Sequence, residues 1–175
     1  MKSDSAVAQE ALGSDFEEIR KSEATLRQVV DTIPALVWSN LADGPNDFSN
    51  QRWQDYTGIS SEGARGWGWQ AAVHPEDLPK LMETWLEMVE ARKAGEFETR
   101  LRRHDGVFHW FLCRIDPLLD ESGRVVRWFG TATDIDALKK TEQKLREDER
   151  ERERLQAELR HERDRLRCCS KLQTA

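Results

Sequence analysis

Apolar and polar residues alternate along residues 96–103, and this pattern predicts a β-strand with one buried face. Two further segments, 107–115 and 124–133, are rich in aromatic and β-branched residues, which favour strands. Pro117 is expected to end or bulge the second strand, because proline has no N–H to donate to the ladder. Polar turns separate the three segments, so the sequence predicts an antiparallel meander.

The first turn of this meander sets the predicted register. Asp105-Gly106 predicts a two-residue type I′ loop, which places Leu101 opposite Trp110. The face expected to meet the helices then has four apolar members: Phe97, Leu101, Trp110 and Leu112. Phe111 and Ile115 fall on the other face, which therefore needs a cover of its own. The amphipathic helix predicted near the N-terminus is the expected cover.

Helix signals and short strand signals precede the meander. Ser14 and Glu17 have the spacing of a capping box at the start of an amphipathic helix. A second helix is predicted from Leu78, with Asp77 as its N-cap. Two short strands complete the sheet, at 35–41 and 47–50.

This order of elements predicts an α+β fold: a five-stranded antiparallel sheet with helices on one face, flanked by an N-terminal amphipathic helix and a long C-terminal helix. The predicted division of the chain has four parts: a mobile tail at 1–13, the N-terminal helix at 14–33, the α+β domain at 34–136, and a coiled-coil-like helix and tail at 137–175.

The C-terminal segment carries leucines at a seven-residue spacing. Leu138, Leu145 and Leu159 share one register, which Arg152 interrupts. The repeat predicts a marginal parallel coiled coil, in which two copies of the chain pair through these leucines. A single solvated helix is the alternative.

Composition narrows the class of protein. Charged residues make up 34% of the 175 residues and the net charge is −6, which argues against nucleic acid as a partner. No apolar run approaches the length of about 20 residues needed to span a bilayer, so we expect a cytoplasmic protein without a membrane segment. The three cysteines form no disulfide framework, and Cys168-Cys169 becomes reactive only if the neighbouring arginines lower the thiol pKa.

The segment from about Leu26 to Asp136 resembles a PAS domain followed by a PAC motif, as found in bacterial sensor kinases and regulators. The matching residues keep the order and spacing of that family: Asn50, Thr57-Gly58, Trp69, His74-Pro75-Glu76-Asp77, Phe97-Glu98-Thr99-Arg100-Leu101, Asp105-Gly106, Trp110, Asp120, Gly123 and Gly130-Thr131-Ala132-Thr133-Asp134-Ile135. The resemblance implies helices that enclose a pocket, and signal transduction through homodimers.

Six aromatic residues are candidates to line such a pocket, although they can equally be core: Trp38, Phe48, Trp53, Tyr56, Trp85 and Trp110. The ligand is unknown. No cysteine precedes Cys113, which argues against the flavin photoadduct chemistry of some family members. Haem-binding members use a histidine on the long helix, and here only His74 stands near its start. His74, Glu76 and Asp77 are interpreted as structural, so no metal site is expected.

Asp134, Ile135 and Asp136 flank the change from the last strand to the C-terminal helix, and are predicted to couple the two. The leading hypothesis is a sensory and dimerisation module that passes a ligand- or redox-dependent signal to a kinase or regulator domain. The alternatives are a constitutive dimerisation module without a ligand, or a fragment of a sensor histidine kinase. His161-Glu162 only faintly resembles a kinase phosphoacceptor box, and no catalytic residue is assigned.

Overall fold

The computed structural model describes the backbone of residues 3–172 and the side chains of residues 17 and 19–163. The described chain contains one antiparallel sheet with the strand order β2-β1-β5-β4-β3. The strands are β1 Leu36–Leu41, β2 Asn46–Ser49, β3 Gly95–Arg102, β4 Phe108–Leu119 and β5 Val125–Asp134. The helices are α1 Ser3–Thr32, α2 Gln51–Thr57, α3 Ser61–Ala64, α4 Leu78–Ala91 and α5 Asp136–Leu172, with a 3-10 helix at Gly68–Ala72. The predicted α+β class is confirmed.

The chain divides into two compact units, one up to Asp134 and one from Ile135 onward. In the first unit, α1 begins at Ser3, so the predicted helix start after a tail of residues 1–13 is wrong. Residues 3–13 contain mostly good helix formers, which lets the helix continue upstream of the capping-box spacing. The expected role of α1 as a cover for the sheet is also wrong, because Ile19, Leu26 and Val29 are each more than half exposed.

The β3–β4 hairpin has a three-residue loop, not the predicted two-residue one. Arg103 N donates to Val107 O at 2.8 Å, and Gly106 N donates to Arg103 O at 2.9 Å. Gly106 has φ +90°, which an L side chain rarely adopts, while Asp105 keeps negative φ. This is a type I turn followed by a bulge at the glycine, and it shifts the register by one residue. The loops at 41–45 and 120–124 repeat the same two backbone bonds.

The one-residue shift moves the side chains of β4 to the opposite face relative to those of β3. Thr99 now pairs with Phe111, and Leu101 with His109. Phe111 and Ile115 belong to the buried core, and Ile115 packs with Trp85 of α4. The predicted face assignment is therefore wrong for β4, since a slip of one residue moves each of its side chains to the opposite face. It is confirmed for β3, because Phe97 and Leu101 do face the helices.

Pro117 does not end β4. The strand continues to Leu119, and Pro117 pairs with Trp128 of β5. The β3–β4 ladder stops where Gly95 pairs with Ile115, so β4 has only one neighbour at the proline. A strand with one open side tolerates the missing N–H.

Asn50 joins three elements at the start of α2. Its Oδ1 accepts from Trp53 N at 3.0 Å, as an N-cap does, and from Val37 N of β1 at 3.1 Å. Its Nδ2 donates to Ala35 O at 3.1 Å and to Val30 O of α1 at 3.3 Å. The residue is 1% exposed, so all of its bonding capacity is met by the chain.

Candidate functional site

A cavity of about 40 Å³ lies between the inner face of the sheet and the helices that cover it. Its lining residues come from strands at both edges and from the helical segments: Trp38, Asn40, Asn46, Trp53, Trp69, Val73, Leu81, Trp85, Phe97, Thr99, Leu101, Cys113 and Ile115. None of these residues is charged. The volume corresponds to about three water molecules.

Indole rings form much of the cavity wall. The rings of Trp38 and Trp53 are tilted against each other with centroids 5.8 Å apart. Trp38 also lies close against the backbone of β5, where a Cβ on Gly130 would come within 2.2 Å of its ring. A glycine at this point is therefore required for the tryptophan to occupy its place in the wall.

The segment that follows α3 closes the cavity by pairing with both edge strands. Gly66 and Asn46 of β2 exchange two backbone hydrogen bonds of 2.8 and 2.9 Å. Further along, Val73 pairs with Leu101 of β3. Trp69 lies between these two attachments and lines the cavity. The irregular segment rich in glycine and tryptophan is thus a strap across the open face of the sheet.

Five lining residues carry a buried polar atom that has no hydrogen-bond partner among the described residues: Asn40 Oδ1, Asn46 Oδ1, Trp53 Nε1, Trp69 Nε1 and Thr99 Oγ1. Thr99 is 1% exposed and Asn40 is 4% exposed, so bulk water does not reach them. An unpaired buried polar group costs roughly 1–3 kcal/mol, and folded proteins contain few. Ordered water is the simplest partner for such groups in a folded protein.

The six aromatic candidates occupy four different places. Trp38, Trp53 and Trp85 line the cavity. Phe48 pairs with Ser39, one residue out of phase with Trp38, and is not among the lining residues. Trp110 pairs with Arg100, whose guanidinium carbon lies 5.3 Å from the centre of the indole ring.

Tyr56, the sixth candidate, packs edge-on against Phe111 with a centroid distance of 5.0 Å. It lines a separate surface depression of about 360 Å³, together with Arg103 and Asp134.

The sequence interpretation missed the polar lining residues Asn40, Asn46 and Thr99. Thr99 lies between Phe97 and Leu101 in an alternating strand, and this position indicated a buried side chain on the face that meets the helices. The two asparagines flank the β1–β2 turn, where such residues usually serve the loop. Only the sheet brings all three to one cavity.

Cys113 also lines the cavity, and burial raises the pKa of its thiol to about 12. The thiol therefore stays protonated at neutral pH, and the neutral form is a poor nucleophile. Cys168 and Cys169 lie outside the residues whose side chains are described.

Asp77 does not cap α4, so the predicted capping role is wrong. Its carboxylate makes no bond to the helix N–H groups. It instead accepts from the backbone N of Arg100 at 2.9 Å and from Arg100 Nη2 at 2.6 Å. The hydrogen bond from the guanidinium lowers the pKa of Asp77 below its usual value. This ion pair ties the start of α4 to β3.

His74 lies beside this ion pair and not in the cavity. Its Nδ1 is 3.2 Å from Glu76 N, which donates to it, and its ring packs on Phe108. Among the described residues, no group of three His, Cys, Asp or Glu side chains is arranged to hold a metal ion. No helix in the described chain is long and apolar enough to cross a bilayer.

The predicted coupling residues stand at the end of one compact unit and the start of the other. Asp134, in β5, lies 3.1 Å from Nδ1 of His109 on the neighbouring strand. Asp136 is the first residue of α5 and pairs with Lys140 at 2.7 Å. Ile135 O accepts from Lys139 N at 2.9 Å, so the helical bonding pattern begins at once.

Helix α5 exposes its leucines. Leu138, Leu145, Leu155 and Leu159 are each 50% exposed or more. Pairs of charged side chains four residues apart support the helix, including Arg146 with Glu142 at 2.6 Å and Arg154 with Glu158 at 3.2 Å.

Comparison with known proteins gives one consistent family. Residues 46–132 match the family model described as the PAS fold. The chain is 31% identical over 128 residues to an uncharacterized protein, y4lL, of Sinorhizobium fredii, covering 73% of this chain and 16% of that protein. It is 31% identical over 121 residues to the peroxide stress-activated histidine kinase mak1 of Schizosaccharomyces pombe, covering 69% of this chain and 7% of the kinase. The chain thus spans less than a fifth of these relatives.

A solved structure has the same fold. The sensory box histidine kinase/response regulator from Burkholderia thailandensis superposes with a TM-score of 0.56 at 21% identity, over 74% of this chain and 98% of that structure. The strand order, the family match and this superposition agree, and the chain belongs to the PAS family.

Proposed function

We propose that this chain is a sensory and dimerisation module of a cytoplasmic signalling protein. Its PAS domain binds a small molecule in the cavity and passes the change through α5 to an output domain. The observation that carries the proposal is an uncharged cavity between the sheet and its covering helices, in a chain that matches the PAS fold. Enclosed, mostly apolar cavities of this kind are typical sites for small molecules.

A bound ligand is favoured over a thiol redox signal. Cys113 is the cysteine that lines the cavity, and its raised pKa leaves little thiolate to react. A ligand instead needs only the uncharged space that the cavity provides.

In this proposal the signal leaves the PAS domain through α5, which pairs with α5 of a second copy of the chain. Four leucines of this helix are exposed, and a parallel coiled coil in the dimer covers them. Asp134, Ile135 and Asp136 connect the last strand to this helix, so a change in the sheet reaches the helix through them. The kinase mak1 contains a similar segment within a much longer chain, which supports a kinase or regulator domain as the downstream partner.

Two measurements on the full chain test the proposal. Native mass spectrometry of the purified protein detects a retained small molecule. Spin labels near Leu145 in each copy report the distance between the paired helices with and without ligand. A ligand that binds and shifts this distance supports sensing. A monomer at tens of micromolar in sedimentation contradicts dimerisation.

A constitutive dimerisation module is the second candidate, and exposed apolar side chains on the sheet favour it. Leu118, Val126 and Phe129 are 49%, 51% and 46% exposed. A second copy seated on these residues buries them without any ligand. This candidate predicts a dimer whose interhelical distances are unchanged by every ligand that the cavity accepts.

A further inference from the structure

The end of β5 is tied to the neighbouring strand by a side-chain contact just beyond the strand ladder. Asp134 is the final residue of β5, and its pairing with Phe111 is the last of the β4–β5 ladder. The Asp134 carboxylate extends past this point to His109 of β4, whose Nδ1 lies 3.1 Å from Oδ2. Since α5 begins at Asp136, this contact stands at the exit from the PAS domain.

The imidazole of His109 is held by packing. The backbone of His109 pairs with Leu101 of β3, and its ring meets the ring of Tyr56 on α2 edge-on, with centroids 6.4 Å apart. Its side chain is 20% exposed, whereas that of Asp134 is 46% exposed. A change in the strength of the contact is therefore expected to act on the more exposed partner, the carboxylate at the end of β5.

The charged and titratable groups around this contact come from α2, from the loop that follows β3 and from β5, while β3 contributes the uncharged Leu101. In the depression beside the contact, these groups are Asp55, Tyr56, Arg103, His104 and Asp134. Arg103 Nη2 lies 2.6 Å from Asp105 Oδ2; this hydrogen bond is the main cause that raises the pKa of the guanidinium, and the charge of Asp134 adds to it. Arginine and aspartate keep their charges between about pH 5 and 8, whereas histidine gains a proton in that range.

The two histidines of this region differ in their contacts. Among the described residues, the ring of His104 makes no hydrogen bond or ion pair, and only its backbone N is engaged, with Tyr56 O at 2.7 Å. The ring of His109 contacts the last residue of β5 directly. His109 is therefore the histidine whose charge bears on the exit.

Protonation changes what the His109 ring offers to the carboxylate. In the protonated ring both nitrogens donate, so Nδ1 donates to Asp134 and the bond is charge-assisted. In the neutral ring Nδ1 donates in only one of the two tautomers, and the bond is then an ordinary one of roughly half the strength. The contact is therefore stronger at low pH.

We propose that His109 makes the exit of the PAS domain responsive to protons: when its ring gains a proton from the solvent, its bond to Asp134 strengthens and holds the end of β5 against β4. This inference rests on the function proposed above, because it places a pH-dependent contact directly before α5.

Hydrogen exchange of the backbone amides at 133–137 in the full chain measures how firmly the exit is held. Each rate is divided by the intrinsic rate at the same pH, which leaves a protection factor that reports local opening. We expect the parent to show protection about two- to fivefold higher at about pH 5.5 than at about pH 8, the range for a partly exposed ion pair.

Two substitutions of His109 imitate its two charge states. His109→Arg keeps a positive charge at both pH values, so protection should stay near the parent's low-pH level. His109→Gln is never charged, so protection should stay near the parent's high-pH level. His104→Gln is the matched control, because it removes the histidine that makes no such contact, and it should keep the parent's pH response.

Asp134→Asn tests the partner. Its amide has no charge to attract the protonated ring, so this variant should also lose the pH response. The Trp128 Nε1–H donates to Ala42 O at 3.4 Å inside the fold, and its signal in a ¹H–¹⁵N correlation spectrum reports whether each variant is folded.

The outcomes separate this inference from the proposed function. A pH response that His109→Gln and Asp134→Asn abolish and His104→Gln keeps supports the inference. An equal response in the parent and in His109→Gln, or none in the parent, overturns it, whatever the spin labels near Leu145 report. A response at the exit without a pH-dependent change in the Leu145 distances supports the contact and contradicts transmission through α5.

Discussion

Asn50 and Asn40 are the same residue type at nearly the same depth, with opposite bonding states. Asn50 is 1% exposed and Asn40 is 4% exposed. Asn50 uses its amide in four hydrogen bonds that join α1, β1 and α2. Asn40 makes one bond through Nδ2 and leaves Oδ1 unpaired at the cavity. The contrast teaches that two buried asparagines in one domain differ in how much of their bonding capacity the chain itself meets.

The largest effect on stability is expected at Asn50, whose side-chain amide is fully hydrogen-bonded. Asn50→Ala should lower the free energy of unfolding by about 3 kcal/mol, because it strands buried N–H and C=O groups in three elements. Asn40→Ala is the matched change and should cost about 1 kcal/mol. Urea denaturation of both variants measures the difference. Equal losses would contradict the contrast between the two sites.

The Asp77 carboxylate, at the start of α4, is a second group whose hydrogen bonds are met by the chain. Asp77→Asn should lower the free energy of unfolding at pH 7 by roughly 1–2 kcal/mol, since it weakens the pairing with Arg100. The pKa of Asp77 is lowered by folding, so its contribution is present above the unfolded pKa of about 4. The contribution is lost as pH falls through the folded value.

The gap between parent and Asp77→Asn should therefore be full at pH 7 and should close below about pH 4. Glu76→Gln is the control, because Glu76 meets the same arginine from a side chain that is 76% exposed. Its effect should stay within about 0.5 kcal/mol. A gap for Asp77→Asn that persists at low pH would assign its role to something other than charge.

At the cavity we expect a substitution to stabilise the domain instead of destabilising it. Thr99→Val removes an unpaired buried hydroxyl and should raise the free energy of unfolding of the ligand-free domain by about 1 kcal/mol. Thermal unfolding without ligand measures this gain, with Thr133→Val as the exposed control. A destabilised Thr99→Val would mean that the hydroxyl is already bonded, for instance by water.

The smallest effect on stability is expected at Ser49, which does not line the cavity. Ser49 Oγ is also buried and unpaired among the described residues, but Ser49 does not line the cavity. Ser49→Ala should change the free energy of unfolding by less than about 0.5 kcal/mol, because the lost atom is small and has no partner. Urea denaturation of this variant beside the parent measures the change, and a loss of about 1 kcal/mol or more would mean that the hydroxyl is bonded in the fold.

Local sequence patterns determined the fold class, because they depend only on neighbouring residues. Alternation along 96–103, the aromatic and β-branched segments and the glycine turns predicted five strands, of which the last three form the expected meander. The order and spacing of residues such as Asn50 and Asp105-Gly106 were sufficient for the family. Three of the six aromatic candidates line the cavity, since large inward aromatics are common at such positions.

The tertiary structure alone decided what depends on distant residues. The loop after Arg103 contains three residues where Asp105-Gly106 predicted two, and that single residue reversed the two faces of β4 relative to β3. Asp77 bonds to Arg100, which is 23 positions away, and so gives up the local cap. The unpaired atoms of Asn40 and Thr99 come from strands near opposite edges of the sheet, and only the closed fold places them around one cavity.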